Sequence, residues 1–227
     1  MAFAGARVTL SLFALHLGAT PFTVGIIISL IAVVPMVFSV KWGCRIDRAG
    51  VYKPMLLGST LVLAGLLLAF ALPRIETLFA VSVLMGSGFM LYHICVNQAA
   101  AQAGGPQDRT RNFSMLALAF STSGFVGLMT AGFAIDGIGH RNTFLLCAVF
   151  MIATLVLLQH YKNSISRLHQ PLAHDVTEKR VGDLLRIPTM LRIFMVSGVM
   201  SMCWDLYSFV MPIHGSHIGP SACARCC

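Results

Sequence analysis

"GCRIDRAGVYK", residues 43–53, and "GFAIDGIGHR", residues 132–141, decide how this chain is organised. Gly43, Ile46, Asp47 and Gly50 return as Gly132, Ile135, Asp136 and Gly139, each displaced by 89 positions. Both stretches interrupt nearly unbroken apolar sequence. The first packs Arg45, Asp47, Arg48 and Lys53 into one bend framed by glycines.

Composition says what surrounds these bends. Hydrophobic residues make up 57% of the 227 residues and charged residues 11%, and the mean hydropathy is +0.81. Soluble domains carry about 25% charged residues, so the charge here is too sparse to cover a water-facing surface. The chain is read as an all-α integral membrane protein whose first partner is the lipid bilayer. Crossing about 30 Å of hydrocarbon takes roughly 20 apolar residues in a helix. Seven runs approach that length: Met1–Leu17, Phe22–Val40, Met55–Leu72, Leu78–Val96, Phe113–Ile135, Thr143–Leu158 and Ile193–Ile213. The runs do not alternate, which excludes barrel strands. Six to seven transmembrane helices follow. The stretch "VTLSLFALHLGA" after Arg7 also has the look of a short secretory signal, a reading that six further spans disfavour.

Basic residues set the orientation. With the 43–53 loop inside, the inner loops and helix ends hold Lys41, Arg45, Arg48, Lys53, Arg109, Arg111, Lys162, Arg167, Lys179, Arg180, Arg186 and Arg192. The outer loops hold Arg74 and Arg141. This is the positive-inside pattern. The net charge of +8 therefore records topology and contact with anionic lipid, and calls for no nucleic acid.

The copies follow the second and the fifth span. An offset of three helices puts them on opposite membrane faces, as in the inverted 3+3 repeats of secondary transporters. Here the chain resembles the major facilitator superfamily. Its loop between helices two and three reads G-x-x-x-D-[RK]-x-G-x-[RK]-[RK], and Gly43, Asp47, Arg48, Gly50 and Lys53 fit it, with Val51 and Tyr52 where polarity is more usual. The resemblance implies a 12-helix fold of two six-helix halves, a gating role for this loop, and secondary-active transport of a small solute by alternating access. Proton-coupled efflux is a further expectation, with protons as a second partner. Two family patterns fit less well: "SVLMG" has Ser82 where an arginine is common, and "GLMTAG" has Leu128 in a proline place and Ala131 in a glycine place.

Ionisable groups inside spans are costly and usually face a cavity. Arg7, His93 and Asp205 stand in spans, and Tyr92, Asn97 and Gln98 surround His93 in the fourth. These six are the candidate solute or ion pathway. His93 and Asn97, four apart, share a helix face. At 1.5 Å per residue, Arg7 and Asp205 fall at similar mid-membrane depth, so they are expected to pair across the path, since the resemblance places helices one and seven opposite each other. The repeat-equivalent loop is assigned Gly132, Asp136, Gly139 and Arg141.

Other chemistry is weakly supported. His214, His217, Cys223 and Cys226 have a zinc-like spacing, but no further ligand pattern accompanies them. No nucleophile–base constellation points to an enzyme, and no cofactor is expected. By domains, residues 1–159 read as the N-terminal transmembrane bundle with an abbreviated first helix. Residues 160–188 read as a cytoplasmic loop, 189–213 as a seventh helix, and 214–227 as an aberrant tail. The resemblance would supply five more helices, so the alternative function is a truncated, non-transporting fragment lacking its C-terminal half. The implied localisation is multi-pass in a bacterial inner membrane.

Overall fold

The structure is a computed structural model describing residues 2–33, 36, 50–105, 107–167, 191–192, 194–203, 206 and 210. All regular elements among these are helices: α1 (Ala2–His16), α2 (Pro21–Val33), α3 (Tyr52–Ala71), α4 (Ile75–Gln102), α5 (Arg109–His160), α6 (Lys162–Arg167) and α7 (Phe194–Cys203). Of these, α3, α4 and α5 are long and apolar enough to cross a membrane. At 52 residues α5 would run about 78 Å if straight, far beyond one bilayer. It does not run straight. Gly139, at φ 82° and ψ 164°, breaks it into limbs 109–138 and 140–160, which correspond to the fifth and sixth expected spans.

The helix ends explain themselves locally. Gly18, at φ 84°, closes α1 with the paired hydrogen bonds Ala19 N to Ala14 O and Gly18 N to Leu15 O, each 3.0 Å. That is a Schellman stop, which needs a left-handed residue. Thr20 then caps α2, its Oγ1 accepting from Thr23 N at 3.3 Å, and Pro21 occupies the first helical position, where its missing N–H is harmless. Leu72 and Pro73 end α3, as expected where a proline ring blocks the preceding residue from helical geometry. In the turn from α4 to α5, Gly104 has φ 78° and Gly105 N donates to Asp108 Oδ2 at 3.3 Å.

Among the described residues, positive φ occurs at Gly18, Gly50, Gly104 and Gly139. Those positions are the junctions between helices one and two, two and three, four and five, and five and six. Gly50 and Gly139 are spaced by the 89 residues of the sequence repeat and share a positive φ, while Gly18 and Gly104 are spaced by 86. One expectation needs correction. Gly132, Ile135 and Asp136 lie within the first limb of α5, and Arg141 lies in the second. The repeat-equivalent loop is therefore a single-residue break at Gly139, because one left-handed glycine suffices to reverse the chain.

Packing relies on small residues, as it does where lipid is as apolar as leucine and close contact must hold helices together. A Cβ on Gly58 would stand 2.6 Å from Gly88 O, and one on Gly88 2.5 Å from Gly58 O, so α3 and α4 touch backbone to backbone. Gly86 meets the backbone of Ile31 of α2 in the same way, and Gly5 brings α1 against Gly127 of α5. Around these contacts Leu10, Ile27, Leu66, Leu78, Met85 and Phe144 are fully buried. Phe13 meets Phe144 edge-on at 5.6 Å. Phe125, Phe133 and Leu67 lie on the exposed side, the apolar exterior that a bilayer accepts.

Candidate functional site

The fourth helix carries the polar cluster, and its own periodicity assembles it. Asn97 Nδ2 donates to His93 O at 2.8 Å and lies 3.2 Å from His93 Nδ1, so the amide both satisfies the helix and orients the imidazole. One turn back, the Phe89 ring centroid is 5.7 Å from that of His93. From the first limb of α5, Phe120 approaches the same imidazole at 5.3 Å. Phe3 of α1 stacks on Phe89 with centroids 3.7 Å apart and planes 6° from parallel. An aromatic row, Phe3–Phe89–His93–Phe120, thus joins α1, α4 and α5.

Beside that row lies a cavity of about 350 Å³, at the small end of the ~300–1,000 Å³ typical of small-molecule sites. Phe3, Phe89, Tyr92, Phe120, Ser123 and Gly124 line it, with Val62 from α3 and Met151 and Thr154 from the second limb of α5. Its polar groups are hydroxyls. Ser123 Oγ donates to Phe120 O at 3.0 Å and Thr154 Oγ1 to Phe150 O at 2.9 Å, so both present acceptor lone pairs to the space.

Of the expected pathway residues, Tyr92 lines the cavity and His93 and Asn97 stand beside it, joined to each other. Gln98 is half-buried on the same helix. Arg7 is half-buried in α1, while Asp205 lies outside the described residues, as do Gly43, Asp47 and Arg48 of the gating loop and the histidines and cysteines of the tail. Gly50 and Lys53 are described, the former as the turn into α3 and the latter exposed in its first turn. Ser82, standing where the family often has arginine, is buried and donates to Leu78 O at 2.9 Å. Sequence reasoning missed Phe3, Phe89 and Phe120, since an aromatic in an apolar span carries no mark of whether it faces lipid or a cavity. It also missed Gln102, whose Oε1 is buried without a hydrogen-bond partner among the described residues.

Arg141 and Phe70 tie the far end of α3 to α5. Arg141 Nε donates to Phe70 O at 2.9 Å, and its guanidinium carbon lies 4.8 Å from the Phe70 ring centroid. At the other end of α3, Lys162 Nζ lies 5.8 Å from the Tyr52 ring. At both ends, therefore, α3 supplies the ring and the later segment the cation, Arg141 from the second limb of α5 and Lys162 from α6.

Comparison with known proteins agrees with this architecture. No curated protein matches the chain. A crystal structure of the peptide transporter POT, in mutant form, superposes with a TM-score of 0.63 at 18% identity, covering 96% of this chain and 48% of that one. The chain thus spans about half the length of that transporter and shares its fold. The family model of the Major Facilitator Superfamily matches residues 1–224. With its helical repeat, glycine junctions and family match taken together, the chain belongs to the major facilitator superfamily and is a membrane protein of a solute-transporting family.

Proposed function

We propose that this chain forms one wall of a transmembrane solute path, with the cavity between α1, α4 and α5 as its contact surface. The observation that carries the reading is the Phe3–Phe89–His93–Phe120 row beside that cavity. It gathers groups from three helices around the ionisable His93, and an ionisable group within a span is by default a functional-site candidate. Solute would be carried by alternating access, in which one bundle rocks against another around a site near mid-membrane. The described residues supply one such bundle, so a second completes the path. The 43–53 loop is the proposed gate at the cytoplasmic end, and Asp205 is the proposed partner of Arg7 across the path. His93 is the group we assign to proton coupling, and efflux through a bacterial inner membrane is the assigned direction and place.

A second reading is favoured by the half-length match: the chain inserts and folds yet moves nothing. Solute flux in vesicles separates the two. We expect saturable flux when the chain is co-expressed with a second six-helix bundle, reduced severalfold by His93→Ala and by Asn97→Ala at equal protein level. Flux indifferent to both substitutions contradicts the path assignment. Saturable flux by the chain as a lone monomer contradicts the need for a second bundle.

A further inference from the structure

We propose that the cavity between α1, α4 and α5 selects a neutral, planar aromatic solute and rejects peptides and other charged molecules. This rests on the solute-path reading and adds the chemical class of the solute. Three phenyl rings from three helices, Phe3, Phe89 and Phe120, supply the walls. Rings recognise rings by offset or edge contact, and Phe3 and Phe89 already present a stacked pair. None of the described lining residues carries a carboxylate, ammonium or guanidinium group. A charged solute entering would shed its hydration and meet no permanent counter-charge on the described lining, since the imidazole of His93 stands beside the cavity behind Phe89 and Phe120. That penalty is larger than any gain from hydroxyls. The hydroxyls of Ser123 and Thr154 already donate to backbone carbonyls, so they offer acceptors to a solute N–H or O–H. A space of about 350 Å³ takes two or three fused or linked rings with little to spare. A dipeptide, whose termini carry both charges, has nothing here to hold them.

Gly124 makes the test clean. It lines the cavity, and a Cβ added there meets nothing within 4 Å. Gly124→Leu therefore starts from an open Cβ position and extends a side chain into the space, and leucine is the better helix former. Thr154→Leu fills it from the second limb of α5, so the test survives if either variant folds poorly. The purified full chain in lipid nanodiscs is titrated with phenylnaphthylamine, a neutral fluorophore, and with anilinonaphthalene sulfonate, the same rings bearing a sulfonate. Dialanine is added as a competitor. We expect saturable enhancement with the neutral probe, weakened at least ~tenfold by either filling variant, a sulfonated probe at least ~tenfold weaker than the neutral one, and no competition by dialanine. Sulfonate or dialanine binding as tight as the neutral probe, and lost in Gly124→Leu, overturns the solute class and leaves the path in place. The absence of any binding sensitive to the filling variants overturns both.

Discussion

Gly50 and Gly139 are 89 residues apart and both have positive φ, at 85° and 82°. Each sits at the entry to a repeat-equivalent helix. Their side-chain surroundings have diverged, with basic residues crowding the first and Gly137 and Ile138 preceding the second. What the repeat retains is the turn. A Cβ at Gly139 would touch nothing within 4 Å, so the requirement there is conformational and not steric.

It follows that Gly139→Ala costs about 1–3 kcal/mol, the strain of a residue with a side chain in a glycine-only region. Gly137→Ala, two residues away in the helix and equally open, should be neutral or stabilising by up to ~1 kcal/mol. Unfolding in detergent, followed by helical circular dichroism, reads the difference. Equal effects at the two positions would show that Gly139 is merely a spacer.

The contact of Gly58 with Gly88 yields a prediction of opposite origin. Here each added methyl would lie within 2.6 Å of the facing carbonyl oxygen, a distance only helix separation can relieve. Gly58→Ala and Gly88→Ala should each destabilise by about 1–3 kcal/mol through overpacking, whereas Gly124→Ala, also helical, should not. The same unfolding titration decides it, and unchanged stability at Gly58 would mean that α3 and α4 are not in backbone contact.

Much of this was legible in the sequence, for identifiable reasons. Apolar run lengths located the helices because the bilayer imposes them, and the 89-residue repeat found Gly50 and Gly139 because turn geometry leaves few residue choices. Boundaries were less legible. The fourth span, expected over Leu78–Val96, is a helix over Ile75–Gln102, since the polar residues after Val96 continue the helix and Asn97 donates a side-chain hydrogen bond to His93 O. The polar half of the site, Tyr92, His93 and Asn97, stood out against apolar neighbours. Its aromatic half did not: Phe3 and Phe89 resemble any lipid-facing phenylalanine until α1 and α4 are brought together. The join between Arg141 and Phe70 was invisible too, because it depends on a sequence separation of 71 residues.

That join is expected to couple energetically. Across a double-mutant cycle of Arg141→Ala and Phe70→Leu, the interaction energy should be about 0.5–1 kcal/mol, the range for exposed cation–ring pairs. The backbone hydrogen bond to Phe70 O survives in the Phe70 single mutant, so the cycle isolates the ring. Additive losses would reduce the contact to coincidence.

Asp47 lies among Arg45 and Arg48 in the 43–53 loop, and we assign it to gating. Asp47→Ala should lower the turnover of the two-bundle assembly severalfold while leaving membrane insertion, read by carbonate extraction, unchanged. A normal rate in this variant would leave the loop as a topology signal only.

The central claim is that the cavity beside His93 is the solute path, which alternating access opens to the two sides of the membrane in turn, the cytoplasmic side among them. Ser123 lines that cavity and is half-buried, and cysteine replaces serine with little change in shape. In a background with the seven native cysteines replaced, Ser123→Cys should react with a membrane-impermeant maleimide from the cytoplasmic side, and phenylnaphthylamine should protect it. Leu67→Cys, on the exposed apolar side of α3, should stay unlabelled in the same vesicles. Labelling of Leu67→Cys but not of Ser123→Cys, or labelling at Ser123→Cys that no solute slows, would contradict the claim that this cavity is the path.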